Sequence, residues 1–155
     1  MENLLLTTIK DALLEKGISE EIAILSLRAF CRKYGGQKIY FSTSSETKRS
    51  SEIFNLISEA LDNYAIAETK KDIPSDMAEK ITRVFLKCFY NISEYVPLEI
   101  TAFRKEIALD INKEYLEAKD KPAKQIEICQ RYNISFVTFL KLRKIANSIK
   151  TNSLF

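Results

Sequence analysis

Gly35-Gly36-Gln37-Lys38-Ile39-Tyr40-Phe41-Ser42 closes an amphipathic helix and opens a polar loop, and Tyr90-Asn91-Ile92-Ser93-Glu94-Tyr95-Val96-Pro97 does the same 55 residues later. The flanks repeat as well, since Ser19 to Glu52 and Pro74 to Ile107 both run helix, short strand, loop, arginine, helix. At that offset Ala23 falls on Ala78, Arg28 on Arg83, Phe30 on Phe85, Tyr40 on Tyr95 and Arg49 on Arg104. Each short segment alternates polar and apolar residues and is bounded by turn formers, which is the pattern of a strand. A repeat of this kind predicts two halves that pack as a pseudo-dimer, with Lys38–Phe41 pairing antiparallel to Ser93–Val96 inside one chain. Pairing the halves also buries helical stripes too short to be buried separately.

Around this repeat the chain is 155 residues long, with three glycines and three prolines, so loops are short and most residues are helical. The apolar stripes predict seven helices. Residues 3–15 carry Leu4, Leu5, Ile9, Leu13 and Leu14 and end at Gly17; Ser19 caps the next helix, whose apolar residues are Ile22, Leu25, Ala29 and Phe30. Ile53, Leu56, Ile57 and Leu61 mark a third helix over about 47–66, and Glu68 to Pro74 reads as a linker. Ser75 then caps a helix with Ile81, Phe85, Cys88 and Phe89 on its core side. A continuous helix over about 99–118 carries Phe103, Ile107, Ile111 and Tyr115, and Pro122 sits in the first turn of the next helix.

Composition excludes several classes of function. With no histidine, Ser-His and Cys-His nucleophiles and imidazole metal sites are impossible. The carboxylates are scattered at the spacings of solvated faces, and no glycine-rich phosphate loop is present, because Gly35-Gly36 is an isolated pair. No catalytic residue, cofactor or metal is therefore expected. Cys31, Cys88 and Cys129 are odd in number and widely spaced, which fits buried thiols in a reducing cytoplasm. Neither a membrane span nor a signal peptide is expected.

Charge is divided unevenly. From Lys119 to Lys150 eight Lys/Arg face two Asp/Glu, so that segment carries 8 − 2 = +6 and the remainder 3 − 6 = −3. Within this basic end, Gln125 to Leu142 fits a helix-turn-helix template. Ile128 and Cys129 supply the apolar and small residues of its first helix, Asn133 suits a left-handed turn, and Ile134 plugs the gap. Ser135 caps the second helix, and Phe139 and Leu142 pack back. A short recognition helix with a free N-terminus enters the major groove in such motifs. The base-facing candidates are Ser135, Thr138, Lys141, Arg143 and Lys144, and the flanking phosphate contacts are Lys121, Lys124, Gln125 and Arg131. Phe136, Val137 and Leu140 share the groove-facing side; they can touch thymine methyls, or dock a protein partner instead.

Gly35-Gly36-Gln37-Lys38-Ile39-Tyr40 resembles the Gly-Gly-Gln-x-Ile-Tyr signature of the Mor transcription activators, the middle-operon regulators of Mu-like phages. The resemblance implies a dimerisation domain built from a helix and this strand, then an arginine-led helix and a C-terminal helix-turn-helix similar to Lys124–Ile145. It further implies strands that pair across a dimer and reach DNA, which gives Gln37, Lys38 and Tyr40 a strand role and Ser135 to Lys144 a recognition role; Tyr95, the repeat equivalent of Tyr40, joins them in the expected strand or dimer interface. Here those parts are split. The first copy keeps the glycines and ends in a plain helix, whereas the second keeps the helix-turn-helix but has Tyr90-Asn91 for the glycines. Val137 stands where an arginine is expected. Without the resemblance, Gly35-Gly36 reads as a helix stop, and Tyr40 and Tyr95 as core aromatics stacked across two strands.

The resulting expectation is a mainly α protein of about seven helices and an antiparallel strand pair. It comprises an N-terminal half at 1–67, a second half at 74–118 and a helix-turn-helix segment at 119–150. Its expected function is a cytoplasmic, non-enzymatic transcription regulator that binds duplex DNA as a homodimer or an intrachain pseudo-dimer. The alternative is a helical protein-interaction module with a degenerate helix-turn-helix.

Overall fold

The computed structural model describes residues 3–40, 48–68, 73–89 and 92–153. Phe41, Tyr90, Asn91 and residues 69–72 of the expected linker lie outside the described residues. Element order is α1 (Leu4–Glu15), α2 (Glu20–Tyr34), β1 (Gln37–Tyr40), α3 (Lys48–Glu68), α4 (Met77–Phe89), β2 (Ser93–Val96), α5 (Glu99–Ala102), α6 (Arg104–Glu117), α7 (Lys121–Tyr132) and α8 (Phe136–Ser153). The fold is mainly helical, with eight helices and two antiparallel strands among the described residues. The extra helix arises at Phe103, where φ −119° and ψ 37° break the expected 99–118 helix into α5 and α6. The apolar period runs unbroken through that residue, so the pattern gives no warning. Residues 1–102 and 103–155 form two compact units.

In the first unit α1 packs on α2 and α4, and α3 packs on α2 and α4. Local sequence explains the helix ends. The Asn3 Oδ1 accepts from the Leu6 N–H at 3.1 Å, and Ser19 Oγ from Ile22 N–H at 3.3 Å, each satisfying an orphan donor. Gly17, at φ +83°, closes α1 with Ile18 N–H donating to Leu13 O at 3.1 Å. Ser75 does not cap α4. It sits in a turn, and the first intrahelical bond runs from Lys80 N–H to Asp76 O at 3.0 Å. The core face of α2 is rotated from the expected one: Ala23, Leu27, Phe30 and Tyr34 are buried, whereas Ile22 and Leu25 are half-buried.

The strands pair antiparallel within the chain as expected, with β1 starting at Gln37 rather than Lys38, in the register Gln37↔Val96, Lys38↔Tyr95, Ile39↔Glu94 and Tyr40↔Ser93. Ile39 and Glu94 are repeat equivalents, since 94 − 39 = 55, and they lie opposite one another in the ladder. Phe30 and Phe85 are also equivalents, 85 − 30 = 55, and their fully buried rings meet with centroids 4.9 Å apart. A residue touches its own equivalent only on a two-fold axis. Two such contacts, one in the ribbon and one in the helical core, therefore define a pseudo-two-fold inside this unit.

The halves have diverged off that axis. Arg28 donates to Glu99 at 3.2 Å, and Arg32 binds the same carboxylate through Nε and Nη2 at 2.9 Å each. Glu99 is only 7% exposed, and these guanidinium contacts supply the pairing that a buried charge requires. Arg83, the equivalent of Arg28, instead bonds Glu79 at 2.5 Å on the surface. On α3, Arg49 lies 5.1 Å from the ring centroid of Tyr34, whose hydroxyl donates to Glu52 at 3.0 Å.

Gly35 is required by contact. A Cβ there would collide with Cys31 O and stand 2.8 Å from Pro97 O. Gly17 has open space around it, and its positive φ is its only constraint. Gly35→Ala should therefore destabilise the protein by about 1–3 kcal/mol or more through overpacking, and Gly17→Ala by about 1 kcal/mol through backbone strain. Urea unfolding midpoints at constant m compare the two; equal losses would contradict the close approach.

Candidate nucleic-acid interface

The second unit is the three-helix set α6, α7 and α8, with α6 packed on both of the others. Asp120 caps α7 by accepting from Ala123 N–H at 3.1 Å, and Pro122 occupies the first turn, where its missing N–H costs nothing. The helix ends at Asn133, in the left-handed conformation with φ 52° and ψ 53°. Asn133 N–H donates to Gln130 O at 3.3 Å and Ile134 N–H to Cys129 O at 2.9 Å, which are the paired bonds of a Schellman ending. Ser135 then caps α8, its Oγ accepting from Thr138 N–H at 3.1 Å. Ile128, Cys129, Phe139, Leu142 and Ala146 are buried, and Tyr115 meets the Phe139 ring edge-on at 5.5 Å. The helix after the turn is 18 residues, about 27 Å at 1.5 Å per residue, rather than the short one expected.

The expected contact residues separate into two groups. Lys141 and Lys144 are exposed on α8 and make no ion pair among the described residues. Ser135 and Thr138 are tied to the helix start, the Ser135 hydroxyl donating to Thr138 Oγ1 at 3.1 Å. Arg143 turns inward: its Nε donates to Asn112 Oδ1 at 3.1 Å and its guanidinium lies 4.1 Å from the Tyr115 ring centroid. It anchors α8 to α6 rather than facing outward, because the aromatic face and the buried amide offer it two partners.

The flanking basic residues are similarly occupied. Lys121 donates to Ala118 O at 3.1 Å and to Leu116 O at 3.4 Å, closing the end of α6. Lys124 pairs with Glu127 at 2.9 Å, and that bond holds the Glu127 carboxyl below its usual range. Arg131 grips Glu114 with both terminal nitrogens, at 3.1 and 2.5 Å. Gln125 is half-buried. Cations absent from the expected set take their place: Arg104, Lys105, Lys113 and Lys119 are exposed and carry no ion pair among the described residues. In the repeat Arg104 stands out only as an equivalent of Arg49. Counting lysines without carboxylates three or four residues away would have removed Lys121 and Lys124, though it would also have discarded Lys113, which lies between Asp110 and Glu117.

Three exposed apolar residues fall together at the start of α8, where Phe136, Val137 and Leu140 are 55%, 61% and 51% exposed. In the first unit the ribbon presents Lys38, Tyr40, Ser93 and Tyr95 on one face, because alternate strand residues point to opposite sides. Tyr40 and Tyr95 are 55% and 57% exposed and are not core aromatics; Ile39 and Val96 fill the inner face instead. Gln37 is exposed beside Val96 at the end of the ladder.

Burial pushes the Cys31 thiol up to about 12 and raises Cys88 and Cys129 as well, so none is a thiolate near neutral pH. No cluster of metal-ligating side chains occurs among the described residues, and no helix there is long and apolar enough to cross a membrane. No family model, characterised protein or solved structure matches the chain.

Arg143→Ala should cost about 2 kcal/mol of stability by removing a charge-assisted bond and a stacked cation. Lys144→Ala should stay within about 0.5 kcal/mol, as expected of a surface change. Denaturant titration of both variants checks the assignment, and equal effects would refute the inward placement of Arg143.

Proposed function

We propose that the protein binds duplex DNA through its second unit, with the outer face of α8 laid in the major groove. The observation that carries this reading is the pair α7 and α8, joined through the left-handed Asn133 and capped by Ser135, with Lys141 and Lys144 on the outer face of α8. Eleven Lys/Arg against six Asp/Glu give residues 103–155 a charge of 11 − 6 = +5, which favours a polyanion. Six of those cations, Arg104, Lys105, Lys113, Lys119, Lys141 and Lys144, stand exposed and without an ion pair among the described residues. Phosphate contacts would supply most of the affinity. Base readout would rest on Lys141, Lys144 and apolar contact to thymine methyls, since Arg143 is engaged elsewhere.

The resemblance of Gly35–Tyr40 to the Mor activators supports the same class, a transcription regulator without catalysis. A second reading is favoured by the exposed Phe136, Val137 and Leu140, which would suit a protein surface equally well.

Fluorescence anisotropy with a labelled duplex pool over a salt series separates the two. Duplex binding should weaken steeply with salt, and Lys141→Ala with Lys144→Ala should reduce the slope of log K against log salt by about 2. Binding that is absent at low salt, or a slope unchanged in the double variant, would reject α8 as the DNA surface.

A further inference from the structure

We propose that one chain is a complete two-fold scaffold carrying a single DNA-reading unit, so that it recognises an asymmetric duplex site as a monomer. The inference rests on the duplex reading above and adds the symmetry of the site and the stoichiometry of the complex.

Three observations carry it. The first is that the self-equivalent contacts, Phe30 with Phe85 and Ile39 with Glu94, both lie within one chain. A two-fold interface is isologous and closed, so the surface that would pair two copies is already used by the two halves. A second copy could use this same surface only by displacing one half from its place against the other.

The second observation is the unequal continuation of the halves. Among the described residues, β1 is followed by α3 before the second half begins, and β2 by α5 and then the three helices of the basic unit. The third helix does not conceal a second reader. Ile53, Ile57 and Leu61 are buried, and its Arg49 is engaged by Tyr34 and Glu52. Its apolar stripe from Ile53 to Leu61 is thus committed to the core of the first unit.

Charge gives the third observation. Residues 1–102 hold thirteen Lys/Arg against fifteen Asp/Glu, 13 − 15 = −2, whereas residues 103–155 carry +5. The unit without a reader therefore also lacks the net positive charge that favours a polyanion. Palindromic operators mirror a two-fold pair of reading helices. With one reading helix per closed scaffold, the matching operator is a single uninterrupted block with no inverted repeat.

The test uses the full chain in two steps. Sedimentation equilibrium of the free protein, from micromolar concentrations upward, should give the single-chain mass of 17.9 kDa throughout. Selection from a random duplex pool should then enrich one asymmetric motif, bound at one chain per duplex. A dimer mass for the free protein would overturn the inference, as would an inverted-repeat motif holding two chains, and either would leave duplex binding itself intact. Failure to bind any duplex at low salt would overturn the DNA reading and the inference together, and is distinguished because no complex of any stoichiometry forms.

Discussion

Phe30 against Phe85 is the contact on which the first unit depends. Each ring comes from a helix of a different half, Phe30 from α2 and Phe85 from α4, and both are fully buried where the helices meet. The Phe30 ring also meets Tyr34 at 5.1 Å and Phe89 at 5.6 Å, so both helices contribute a second aromatic to the same cluster. Aromatic pairs at these separations add to the burial of their large apolar faces. Once the two helices meet there, the short strands at their C-terminal ends are brought side by side. Four-residue strands would not persist as an isolated hairpin in water. Their pairing is a consequence of the helical contact, and Gly35 permits it by letting Pro97 and Leu98 approach the backbone.

Symmetry is retained where it holds the halves together and lost where it does not. The Glu99 carboxylate gathers Arg28 and Arg32 on one side only, fixing α5 to α2. On the other side, Arg49 and Glu52 bracket Tyr34 and fix α3 to α2. The two halves thus use different polar devices to secure the helix after each strand. A duplicated scaffold freed from being two identical chains can diverge in this way, because each copy answers only to its own neighbours. In the second unit, internal contacts take up much of the charge. Lys121, Lys124, Arg131 and Arg143 are engaged within the three helices, and the cations left over define the exposed surface.

How much of this was legible in the sequence depended on distance along the chain. The antiparallel pairing of the strands followed from the repeat, but its register did not: the expected Lys38–Phe41 would set Lys38 opposite Val96, where the structure sets Gln37. The turn at Asn133 and the cap at Ser135 were readable because such endings are local and depend on residue type. The break at Phe103 was not, since an apolar residue preserves the helical period while its backbone leaves the helix. Nor was the exposure of Tyr40 and Tyr95: alternation says that neighbours face opposite ways, but not which face the core takes. Least visible was the fate of Arg131 and Arg143. Their partners Glu114 and Asn112 are 17 and 31 residues away, on another helix. Basic residues in a basic segment look alike until the fold shows which are already paired.

The central claim, that the two halves pair within one chain, is tested most directly by isotope-filtered NMR on an equimolar mixture of labelled and unlabelled protein, refolded together. Intramolecular pairing predicts Phe30–Phe85 ring contacts and Ile39–Glu94 cross-strand contacts in the labelled chain alone, with no cross-peaks between labelled and unlabelled chains. Intermolecular cross-peaks at those pairs would show that the halves exchange between chains, and would contradict the account.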